Sequence, residues 1–154
     1  MDLQPAPRRR ATRRGYALAV LVAGAVLAIC AVLPWAGIQA SSDLIGGGVT
    51  RSLRGTDDRF GIYTLVAGLA AAALGLAGTL SRPRLAALAM IPGALAAVVL
   101  VMFISDPKDV GDRISIDLGG LLSIEPVIQY GWWAALASSL AVVVLAVLAL
   151  VGRR

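Results

Sequence analysis

The sequence has no histidine and no asparagine, and only one cysteine, one lysine and one glutamate. Without histidine, the usual general base near neutral pH and the commonest metal ligand are missing. No glycine-rich phosphate loop and no nucleophile elbow occurs in the chain. The lone Cys30 excludes an intramolecular disulfide, so exposed segments must hold their shape by other means. Leu27-Ala28-Ile29-Cys30 outlines a lipoprotein cleavage box, but isoleucine stands where a small residue is needed. Charge is absent from four long stretches: Tyr16–Trp35, Phe60–Leu80, Leu85–Ile104 and Gly131–Val151. Charged groups inside a membrane mark ion and proton paths. Within these runs only Thr64, Thr79, Ser138, Ser139 and Cys30 are clearly polar. The expectation is a protein without catalytic chemistry, cofactor or metal, and without an ion path through the chain alone.

What is present is apolar. Hydrophobic residues make up 58% of the 154 residues. A helix rises about 1.5 Å per residue, so a run of about 20 residues crosses a hydrocarbon core of roughly 30 Å. The runs predict an all-α membrane protein with spans at 16–35, 60–80, 85–104 and 131–151. They leave no room for a separate soluble domain: residues 16–154 form one membrane domain, and residues 1–15 a basic tail without apolar periodicity, expected to be disordered. The first run exceeds the usual 7–15 residues of a signal-peptide core, so it reads as a retained span.

Charge sets the orientation. Arg8, Arg9, Arg10, Arg13, Arg14, Arg82, Arg84, Arg153 and Arg154 lie on one side, opposed only by Asp2. The other two loops carry Arg51, Arg54, Arg59, Lys108 and Arg113 against eight acids. Positive loops stay cytoplasmic, which puts both termini inside a plasma membrane. The same placement argues against nucleic acid as the partner of this basic chain. The partners expected are the bilayer and a second membrane protein.

The loops on the acidic side have pattern. Val49-Thr50-Arg51-Ser52-Leu53-Arg54 alternates with period two, the mark of a half-buried strand. Arg113–Leu118 and Leu121–Glu125 alternate on either side of Gly119-Gly120, a hairpin signal. An isolated hairpin is marginal, so these strands are expected to join in one small extracytoplasmic sheet. Val49, Arg51, Leu53, Ile114, Ile116, Leu118, Leu122 and Ile124 are the candidate interaction surface. Asp106, Asp109 and Asp112 recur every third residue, a spacing that reads as an acidic turn and leaves a cation site open.

Further signals refine the helices. Pro34 should end the first, because it has no N–H to continue it. Trp35, Tyr130, Trp132 and Trp133 gather at one end, where aromatic rings favour the headgroup level. Asp57 and Asp58 suit the start of the second helix. Ser81-Arg82-Pro83-Arg84 forces spans two and three into an antiparallel hairpin whose faces are rich in small residues, with Gly68, Ala72, Gly75 and Gly78 on span two and Ala89, Gly93 and Ala97 on span three, a pattern that supports close helix packing in general. Pro92 should kink span three or leave a carbonyl free near its middle.

Leu33-Pro34-Trp35, Gly55-Thr56-Asp57-Asp58 and Tyr130-Gly131-Trp132-Trp133 together form a pattern similar to that of small four-span actinobacterial membrane proteins, with which the bias towards alanine, leucine, valine, glycine and arginine also agrees. Four helices beneath an outer sheet also resemble the claudin architecture, without the claudin loop cysteine pair. These resemblances imply a membrane bundle and bring no catalytic residues. Two functions follow as expectations: an accessory or scaffold subunit of a cell-envelope complex, or a subunit of a transporter for an apolar or amphiphilic molecule, with Pro92 and the glycine-rich faces of spans two and three providing mobility.

Overall fold

The computed structural model describes residues 8–41, 48–81, 84–105 and 123–151. The elements are α1 (Arg8–Val32), β1 (Pro34–Ser41), β2 (Gly48–Arg54), a 3-10 turn (Gly55–Asp57), α2 (Arg59–Leu80), α3 (Arg84–Leu88), α4 (Met90–Ser105), β3 (Ser123–Ile128) and α5 (Tyr130–Val151). Four helical segments, 14–32, 59–80, 85–105 and 130–151, are long and apolar enough to cross a membrane.

Two helices begin and end where the apolar runs do. The first does not. It starts at Arg8, inside the stretch expected to be an unstructured tail, and stops at Val32, short of Trp35. Arginine and alanine are good helix formers, and a nucleated helix extends at little cost into such residues. The early stop is the work of Pro34. A continuing helix would bond the N–H of residue 34 to the Cys30 carbonyl, and proline has none to offer. The Leu33 N–H donates to that carbonyl instead, at 3.2 Å, tightening the last turn.

Span three is two helices. The interruption falls at Ala89, between α3 and α4, one turn before Pro92 and near one end of the span. Pro92 removes the bond that the Leu88 carbonyl would accept, and its ring crowds that carbonyl. The chain answers with a bond from the Ala89 N–H to the Ala86 carbonyl at 3.2 Å before the helix resumes. The disturbance expected near the middle of the span thus takes the form of a helix break one turn before Pro92.

The helices pack antiparallel in a closed ring. α1 packs most extensively on α2 and then on α5, and α4 touches α2 and α5. The α1–α2 seam is the closest. A methyl group added to Gly24 would come within 2.5 Å of the Ala72 nitrogen; on Gly68, within 2.7 Å of the Ala28 nitrogen; on Gly75, within 2.5 Å of the Leu21 nitrogen. Gly68 and Gly75 therefore face α1. Gly78 lies against Ala86 of α3. Gly93 packs on Val142 and Val143 of α5.

The sheet has strand order β2-β1-β3, all pairs antiparallel. Its centre, β1, starts two residues after α1 and carries no period-two alternation of its own. Period two had marked 49–54, which is β2. The second arm of the expected hairpin extends to Ile128 as β3. Its first arm, with Ile114, Ile116 and Leu118, and also Leu122, Asp106, Asp109 and Asp112, lies outside the described residues.

Candidate functional site

Three sequence motifs that lie far apart meet at one place, where the bundle joins the sheet. Leu33-Pro34-Trp35 forms its centre. The Gly55 N–H donates to the Leu33 carbonyl at 3.1 Å, and the Gln129 N–H to the Trp35 carbonyl at 2.8 Å. The exits of β2 and β3 are thereby stitched to the same three residues. Gly55 lies against the Ala31 carbonyl and the Trp35 ring, Gly61 against Gly55, and Gly131 against the Pro34 carbonyl. Each is a place where a side chain would collide with backbone, so glycine is what lets the segments close.

The start of α2 is built as the aspartates suggested. The Asp58 carboxylate caps the helix by accepting from the Phe60 N–H at 3.3 Å. Asp57 accepts from the Arg54 N–H at 3.0 Å, fixing the turn that leads from β2.

The aromatic residues divide. Trp35 and Trp132 are 1% and 4% exposed, whereas Tyr130 and Trp133 are 66% and 59% exposed. The Trp35 indole N–H donates to the Cys30 carbonyl at 2.9 Å, supplying the acceptor that Pro34 left without its helical donor. The Trp132 indole N–H reaches across to the Leu100 carbonyl of α4 at 3.2 Å. Trp35 and Phe103 pack edge to face at 5.5 Å between ring centroids, and Phe60 and Phe103 do so at 6.2 Å. Such pairs add about 0.5–1.5 kcal/mol beyond their buried area. Leu27, Cys30, Ala31, Ala96, Leu100 and Ala135 complete this end of the core. The other end is built from smaller side chains: Val20, Ala71, Ala89, Val142 and Ala146. The core is aromatic under the sheet and made of small aliphatic side chains away from it.

Buried hydroxyls are spent on their own helices. Thr64 donates to the Phe60 carbonyl at 2.9 Å and Ser139 to the Leu136 carbonyl at 2.8 Å. Thr79 and Ser138 do the same with Leu76 and Ala134. Among the described residues no buried side-chain nitrogen or oxygen lacks a partner, and no three carboxylates or thiols gather.

The register sorts the sheet into two faces. Ala36 pairs with Leu53 and Ile128, Ile38 with Arg51 and Pro126, and Ala40 with Val49 and Ile124. Successive strand positions alternate between faces. Of the candidate surface, Val49, Arg51, Leu53 and Ile124 therefore occupy positions on one face. That face is apolar except for Arg51. The opposite face holds the Gln39, Thr50 and Glu125 positions. This common face is the feature that one-dimensional alternation could not supply, because it requires knowing which strands pair.

No protein-family model matches the chain, and no curated protein matches it.

Proposed function

We propose that the chain is a multi-pass protein of the cytoplasmic membrane, with both termini cytoplasmic, that works without catalysis as an accessory or scaffold subunit of an envelope complex. The observation that carries the membrane part is the inverted arrangement of the bundle. Val22, Val66, Leu95 and Val144, one from each span, are 55–61% exposed, while Ala71, Ala86, Ala96 and Ala135 are fully buried. In water, exposing such side chains costs about 25 cal/mol per Å² of apolar surface. Lipid removes that cost, and small residues inside then allow the close helix contacts that drive association there. The arginine asymmetry supports the orientation, and the exposed Tyr130 and Trp133 suit the headgroup level.

The subunit role rests on the sheet. Its apolar face, at the acidic side of the proposed membrane, is the contact for a partner protein, and the tight junction at Leu33-Pro34-Trp35 holds it rigidly to the helices. The test is purification of the tagged chain from its native membrane in mild detergent. A co-purifying protein in fixed stoichiometry is expected, and it should be lost from Ile128→Glu and from a deletion of residues 113–122, both still inserted. Recovery of the chain alone, or a partner retained by both variants, overturns the reading.

A further inference from the structure

We draw no further inference here: the strongest candidate, the apolar face of the three-stranded sheet around Ala36, Leu53 and Ile128, belongs to the contact surface already proposed, and nothing among the described residues shows what covers it.

Discussion

Glycine and tryptophan decide this structure at the scale of single residues. Gly68 touches the backbone of α1, which cannot rotate away as a side chain can. Gly68→Ala should therefore push α1 and α2 apart and destabilise the protein by about 1–3 kcal/mol, the usual penalty of overpacking. Gly15, also in α1, has nothing within 4 Å of an added methyl group. Gly15→Ala should be neutral or stabilising by up to about 1 kcal/mol through helix propensity alone. Thermal melts of the two variants in detergent compare them directly, and equal melting points would show that the seam is looser than described. Trp35 offers a second contrast. Trp35→Phe keeps a ring against Phe103 but deletes one of the two N–H donors to the Cys30 carbonyl, the other being that of Leu33, and leaves space where the buried indole was, a combined loss of about 1–3 kcal/mol. Trp133→Phe, at an exposed position, should leave the melt unchanged. If both variants melt alike, the buried indole contributes nothing measurable through either its bond or its packing.

The elements show where local signals act and where they yield. Pro34 ends α1 and Asp58 begins α2 through groups adjacent in sequence, so both boundaries could be read along the chain. Pro92 was equally visible, but the place of the break was not. A proline disturbs the carbonyl four residues earlier, and the interruption settles at Ala89, where a small side chain packs against α5. Pro92→Ala restores the missing N–H. We expect α3 and α4 to join, with slower amide hydrogen exchange at Ala89–Gly93. Unchanged exchange would mean that packing against α5, and not the proline, holds the break open. The bounds of β1 carry no such local mark. Pro34-Trp35-Ala36-Gly37-Ile38 shows no clean alternation, since Trp35 turns into the bundle and Gly37 is closed against Gln129. Its strand character comes from partners on both sides.

For the whole molecule, the proposed orientation gives a direct expectation. In a Cys30→Ala background, Ser52→Cys should react with an impermeant maleimide added to intact cells. Arg14→Cys should react only after permeabilisation, and Val98→Cys in neither case. Ser52 and Arg14 are exposed at opposite ends of the bundle, and Val98 lies on its outer apolar surface. Labelling of Arg14→Cys in intact cells would reverse the topology. Labelling of Val98→Cys would place that surface in water and remove the membrane reading altogether. The three motifs were visible one at a time, while their convergence on a single junction was not, because they are separated by 20 to 100 residues of chain.

By itself, the sequence determined the number of long apolar helices, the ends set by Pro34 and Asp58, and the uneven distribution of arginine. These depend on sums of transfer free energy along a run, on a missing donor or on a nearby carboxylate, all of them local. Tertiary structure alone decided that Gly68 and Gly75 face α1, that Trp35 and Trp132 turn inward while Trp133 turns outward, and that β1 lies between β2 and β3. Helices that are apolar all round carry no amphipathic stripe, so their periodicity cannot say which side is inside. There the choice falls to steric fit between distant segments, which allows close approach only where both backbones are bare.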